Sequence, residues 1–394
     1  MKREICYVVG AGLTKSLEAS RKFRVPLMPD FVAVLADHIE SDVVLTALTN
    51  FEKGRVFDWS RPEWIAMADA LAVTSTAAAR EQYAEVLRRR PSENVEQLLR
   101  NALKKRKGNL YASIVEDRFS FAINTVFARI GWNLHLDPLK RYLRRQLALT
   151  NTTHTFVSYN YDLVLDSCLQ EVAGARWAPE TGYEIPFSET IHIEDALEHM
   201  KQFKPHGGGA YSLLDPRPAA TAASDILVLK PHGSLNWLVP FEGNYKFTDD
   251  DPLLLLDGEG RIAYCAEFGV DQIRNTKRPA EIAFNAGLFV TPPLDVESAA
   301  QAPQFLVSIQ AQSLAAMRDA DEIVVIGWSM PSTDKGEVDR MSQAMSSAKP
   351  GRQVTAVNFN ADVFYFQKLA AVCHVPETNV VACNAGFVTF VGDT

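Results

Sequence analysis

Residues 5–12 read Ile5-Cys6-Tyr7-Val8-Val9-Gly10-Ala11-Gly12, an apolar run that stops at a pair of glycines. Five successive apolar side chains leave no wet face, as expected of a strand buried on both sides in a parallel sheet. Glycines just past such a strand let the chain turn tightly and bring backbone N–H groups close to a phosphate. The third glycine of a dinucleotide fingerprint is missing, because Lys15 stands in its place. Asp30 lies at the distance of a ribose-binding acid, but Pro26 and Pro29 precede it, and a proline-broken segment makes a poor second strand. Taken alone, the turn can also be a plain structural one.

Further short apolar segments follow at 155–158, 226–229, 288–291, 323–326, 354–357 and 387–391. Helix-like stretches at 307–317, 339–347 and 361–373 alternate with the later ones. This rhythm predicts an α/β protein with a Rossmann-like, doubly wound parallel sheet. Residues 32–149 differ: they are rich in Ala, Leu, Arg and Glu, with apolar spacings of three or four. Ser92, followed by Glu93 and Glu96, reads as a helix start with acids at the positive end of the dipole. The spacing predicts an inserted helical subdomain over 32–149, which leaves 1–31 and 150–394 as the core. Within that core, 170–225 and 241–285 read as loop-rich insertions, the second with a hairpin around Asp257-Gly258.

The chain has 394 residues, 47% hydrophobic and 22% charged. That excludes a disordered chain, a collagen-like chain and a small disulfide scaffold. The net charge of −8 gives no global basic field for nucleic acid. Residues 86–145 are an exception, with fourteen bases against five acids. A solvated helical face is the preferred reading there, ahead of a docking surface for an acidic partner or nucleic acid. Five cysteines at 6, 168, 265, 373 and 383 form no CxxC pair, so no metal site and reduced thiols are expected. The first residues lack the pattern of a signal peptide, and no apolar window is long enough to span a membrane. The expectation is a cytoplasmic protein.

Four more strand ends carry polar turns. Ser158-Tyr159-Asn160-Tyr161-Asp162 sets an amide and an acid beyond one strand, where Asp162 can also cap the next helix. Lys230-Pro231-His232-Gly233-Ser234 holds a histidine between proline and glycine. An imidazole changes charge near neutral pH and suits a general base, although a structural turn explains the position about as well. Of eight histidines, His232 is the one directly at a core strand's carboxyl end; His206 follows Pro205 with no strand leading into it. Ile326-Gly327-Trp328-Ser329-Met330-Pro331 and Val357-Asn358-Phe359-Asn360 complete the set. Five polar turns at the carboxyl ends of parallel strands make one crevice.

The ordered set GAG with Thr14, YNYD, KPHGS, Pro292-Pro293, IGWSMPSTD and VNFN resembles the sirtuin-like NAD-binding domain, in its bacterial antiphage-defence branch. The resemblance covers the core and not the helical insertion. It implies that Gly10, Ala11, Gly12 and Thr14 hold a pyrophosphate, that Asn160 lies beside the nicotinamide ribose, and that Asp162 lies near the nicotinamide amide. It further implies that His232 is the catalytic histidine, that Gly327 and Ser329 contact phosphate and ribose, and that Asn358 lies near the adenosine ribose. Protein deacylases of that family carry a four-cysteine zinc module after the histidine; here only Cys265 lies in that region. The resemblance therefore implies no zinc and an NAD⁺ glycohydrolase, with NAD as substrate, that acts by NAD⁺ depletion. It also implies a homo-oligomer and an ATPase/helicase (HerA-like) or nuclease partner. The alternatives are an NAD- or ADP-ribose-binding sensor and, behind it, an ADP-ribosyl or acyl transferase.

Overall fold

In a computed structural model, the described residues are 2–19, 24–27, 31, 33–34, 134–177, 182–183, 187–192, 210–214, 225–239, 262–265, 287–290, 304–331 and 334–393. Most of the segment 32–149, the basic run before 134, Ser92, His206, Asp257-Gly258 and Pro292-Pro293 lie outside them.

Six strands form one parallel sheet: β1 (Arg3–Val9), β2 (Thr152–Ser158), β5 (Ile226–Leu229), β9 (Glu322–Ile326), β10 (Gln353–Val357) and β11 (Val380–Cys383). Their order is β11-β10-β9-β1-β2-β5. In chain order that is third, second, first, fourth, fifth, sixth from the β5 edge, the order of doubly wound nucleotide-binding sheets. The uniform apolarity of residues 5–9 has its physical cause here, because side chains of β1 are buried on both faces. Ile5, Tyr7 and Val9 face one layer, which includes helices α2 (Asp137–Leu147), α3 (Val164–Ala173) and α7 (Phe387–Asp393). Cys6 and Val8 face the other, with α5 (Lys335–Met345) and α6 (Val363–Val372). Two further helices, α1 (Ala11–Ser16) and α4 (Gln304–Asp319), complete the described set.

Several expectations are corrected. Residues 387–391 form helix α7 rather than a strand. Phe387 and Val391, four apart, are buried while Val388 is exposed, and Phe387 packs edge-on against Tyr142 with ring centroids 5.4 Å apart. A short apolar run does not distinguish the two periods by itself. Residues 288–290, the described part of 288–291, are not part of the parallel sheet. Strand β8 (Gly287–Val290) pairs antiparallel with β6 (Gly233–Val239), in a second sheet ordered β3-β4-β7-β6-β8. The stretches 170–225 and 241–285 accordingly contain strands β3 (Phe187–His192), β4 (Ala210–Leu214) and β7 (Ile262–Cys265). Strand β11 escaped notice because it is an edge strand with no fully buried residue. The one helix within 32–149 whose bounds are described is α2, whose Lys140 and Arg144 face Glu171 on α3.

Two predictions follow from this packing. Gly327 and Gly351 both have positive φ, +64° and +75°, so alanine at either is strained by about 1 kcal/mol. A Cβ at Gly327 would lie 2.2 Å from the Leu13 backbone nitrogen, whereas one at Gly351 meets nothing within 4 Å. Denaturant unfolding is expected to show Gly327→Ala costing at least twice as much as Gly351→Ala; equal costs would remove the steric argument. The second concerns His154, buried on strand β2 beside Tyr7 of β1, whose hydroxyl is 3.0 Å from Nδ1. Burial, reinforced by nearby Arg176, lowers its pKa to about 4. The unfolded chain takes up this proton near pH ~6.5 and the folded one only near pH 4. Stability is thus complete above that range and falls as the pH drops through it, by up to about 3 kcal/mol. His154→Phe is expected to flatten the stability curve between about pH 6.5 and 4, measured by urea titration; an unchanged slope would remove His154 as the cause.

Candidate functional site

The carboxyl edge of the sheet is laced by backbone hydrogen bonds. Tyr159 N–H donates to the Val9 carbonyl, Gly10 N–H to Ile326, Gly327 N–H to Val357 and Asn358 N–H to Cys383, each at 2.9 Å. This line brings four of the predicted turns side by side. The fifth, at His232, follows β5, which pairs with β2.

The glycine turn is packed against the turn after β9. Gly12 N–H donates to the Gly327 carbonyl at 2.9 Å. A Cβ at Gly10 would lie 2.6 Å from the Trp328 Cα, and one at Gly12 2.7 Å from the Gly327 oxygen. The glycines are therefore required for the approach of two loops, whatever else they serve. Ala11 at the start of α1 is exposed.

Thr14 is buried, and its hydroxyl donates to Asp162 Oδ2 at 2.8 Å. Its oxygen then accepts from Asn160 Nδ2 at 3.3 Å, and the same amide nitrogen donates to the Gly10 carbonyl at 3.2 Å. Asp162 Oδ1 accepts from the Val164 N–H at 3.1 Å. Asp162, one residue before the N-cap Leu163, thus takes the N–H of the first residue of α3 on one oxygen and holds Thr14 with the other. Its carboxyl pKa is raised by burial, against the pull of Lys230 and the hydroxyl of Thr14. The chain of donors has a direction, amide to hydroxyl to carboxylate. It fixes which end of the Asn160 amide is which. The nitrogen is engaged, and Oδ1 is left buried with no partner among the described residues.

His232 lies at the neighbouring strand end, since β5 pairs with β2. Its ring meets Tyr159 edge-on at 5.0 Å and Tyr161 at 6.2 Å, the two residues that flank Asn160. Tyr159 is stacked in turn on Trp328, at 5.0 Å and 13°. The turn is held by Gly233 N–H donating to the Lys230 carbonyl and by Gln310 reaching the Pro231 carbonyl. His232 is 3% exposed and Asn160 7%. His232 Nε2, like Asn160 Oδ1, is buried without a hydrogen-bond partner among the described residues. No family model and no curated protein matches this chain.

The other predicted residues are less committed. Gly327 forms the tight turn after β9, and Ser329 is exposed beyond it. Asn358 is half-buried, with its Oδ1 accepting the N–H of Phe359 at 2.9 Å. Among the described residues no group of three or more His, Cys, Asp or Glu side chains could hold a metal, and no helix is long and apolar enough to cross a membrane. Sequence reasoning missed the aromatic wall of Tyr159, Tyr161 and Trp328. Its one available signal was the tyrosines on either side of Asn160.

Two buried polar atoms with unmade hydrogen bonds are a liability for folding, of about 1–3 kcal/mol each. Replacing His232 by an apolar residue of similar volume removes one of them. His232→Leu is expected to melt at or above the wild-type temperature in a thermal scan; a fall of several degrees would show that the imidazole has a structural role.

Proposed function

We propose that this chain is a sirtuin-like NAD⁺ glycohydrolase, converting NAD⁺ and water to ADP-ribose and nicotinamide. The observation that carries this reading is the pair of unsatisfied buried groups, Asn160 Oδ1 and His232 Nε2, on adjacent strand ends of a sheet with dinucleotide-binding strand order. An acceptor and an imidazole without partners among the described residues suit a ribose and a water molecule.

Cleavage breaks the bond between the ribose C1′ and the nicotinamide nitrogen, and the bonding pair leaves with the ring as a neutral base. The transition state resembles an oxocarbenium ion, as in glycoside cleavage. In this reading Asn160 Oδ1 accepts from a ribose hydroxyl or from the attacking water. His232 takes the proton as the water oxygen bonds to C1′. Tyr159, Tyr161 and Trp328 keep bulk water away from the imidazole. Ala11 at the start of α1, Gly327 and Ser329 are the proposed phosphate and ribose contacts, and Asn358 the contact for the adenosine ribose. Gly12 N–H is already given to Gly327, so the diphosphate would use the neighbouring donors. The role in antiphage defence, the helical insertion, the homo-oligomer and the ATPase, helicase or nuclease partner belong to the same proposal through the resemblance.

The test is NAD⁺ consumption by the purified protein, alone and with the products of neighbouring genes, with nicotinamide and ADP-ribose quantified. His232→Ala and Asn160→Ala are each expected to lower turnover by at least about 100-fold. Equal turnover by wild type and His232→Ala would overturn the assignment of the base. Binding with no turnover under any condition would put a sensor in place of the enzyme.

A further inference from the structure

The strand end that leads to His232 carries a second polar group that the proposed chemistry does not use. Lys230 closes strand β5 and is fully buried, at 0% exposure. Its ammonium donates to the backbone carbonyl of Asp162 at 2.8 Å and to Asp166 Oδ2 at 3.3 Å. Asp166, in the first turn of α3, is itself buried, and its other oxygen accepts from the Tyr183 hydroxyl.

A buried ion pair is a poor source of stability, since desolvating two charges offsets most of their attraction, and apolar replacements are often neutral or better. Its value is geometric. The Lys230 side chain starts two residues before His232 and ends on the loop that carries Asn160 and Asp162. These two strand ends hold the two halves of the site. Asp166 fixes the ammonium from below, and Tyr183 fixes Asp166. Asp162, whose carbonyl is gripped, is also the residue whose carboxylate orients Thr14 and through it Asn160.

We propose that Lys230 is a positioning residue: by tying the Asp162 carbonyl to the strand end that carries His232, it sets the distance between the orphaned amide oxygen and the orphaned imidazole nitrogen. Asp166 and Tyr183 hold the ammonium in place. The kinetic consequence rests on the hydrolase reading; the structural one does not.

The experiment compares wild type with the double variant Lys230→Met/Asp166→Leu, which replaces the ion pair by apolar side chains and deletes the tie. Amide hydrogen exchange is followed at residues 159–163, with strand β10 as internal reference, together with kcat and KM for NAD⁺. The double variant is expected to melt near the wild-type temperature and to exchange at 159–163 at least about tenfold faster, with β10 unchanged. Its kcat is expected to fall at least about tenfold while KM stays within about threefold. Unchanged exchange at 159–163, or an unchanged kcat in an active enzyme, overturns the proposal. If the wild-type protein does not cleave NAD⁺, the hydrolase reading fails and exchange alone decides the tie. If the double variant does not fold, Tyr183→Phe serves instead. It is expected to raise exchange at 159–163 and lower kcat by about two- to fivefold, and no change in either overturns the proposal.

Discussion

The architecture turns on the contact between the Gly12 N–H and the Gly327 carbonyl, 2.9 Å long. It joins the turns after β1 and β9, adjacent strands at the point where the winding of the sheet reverses. Ligands of open α/β sheets bind outside the strand ends at such a point. Here the closeness of the two turns is enforced at the first residues. Added Cβ atoms at Gly10, Gly12 and Gly327 would come within 2.2–2.7 Å of the opposing loop's backbone. With these two turns locked, Tyr159 is hydrogen-bonded to the end of β1 and Asn358 to the end of β11. The carboxyl edge becomes one continuous platform rather than separate loops.

On that platform, hydrogen-bond direction does what distance alone does not. Asp162 is acceptor-only when ionised, so the Thr14 proton points to it and the threonine oxygen is free to take the Asn160 amide nitrogen. The amide oxygen is left without a partner among the described residues, and the imidazole at the neighbouring strand end meets the two tyrosines that flank Asn160. Either group alone would be an isolated imperfection, and folded proteins leave few such groups unmet. Other buried atoms, His154 Nε2 among them, also lack partners among the described residues; Asn160 and His232 differ in lying at adjacent strand ends, which is what the proposed site rests on.

The sequence pattern made the sheet readable and the site only partly so. Segments 5–9, 226–229, 323–326 and 354–357 were recognisable because burial on both faces demands an apolar run, and β1, β5, β9 and β10 satisfy that demand. The same criterion misassigned 387–391, where burial at four-residue spacing marks a helix face, and it passed over β11, whose edge position requires no buried side chain. Asn160 and His232 were legible as polar residues at strand ends. The link between Thr14 and Asp162 was not, since 148 residues separate them. Lys230 was visible as part of the motif around His232, yet a lysine after an apolar strand reads as surface. Only the fold reveals Asp166 and the Asp162 carbonyl waiting for it.

The platform is not uniform along its length, and the difference has a chemical logic. At the β2–β5 end Asn160, Asp162, Asp166, Lys230 and His232 are all buried, and most of their polar atoms are hydrogen-bonded. At the β9–β10 end Ser329 is exposed and the Asn358 oxygen turns back on its own backbone. Bond cleavage requires precise placement of the reacting atoms, whereas distant parts of a long substrate need only supply binding. In the proposed hydrolase, a dinucleotide along this edge would meet buried groups at the sugar that reacts and more exposed ones at the sugar that does not. The buried Lys230–Asp166 pair lies at the buried end, where accuracy of position justifies the desolvation of two charges.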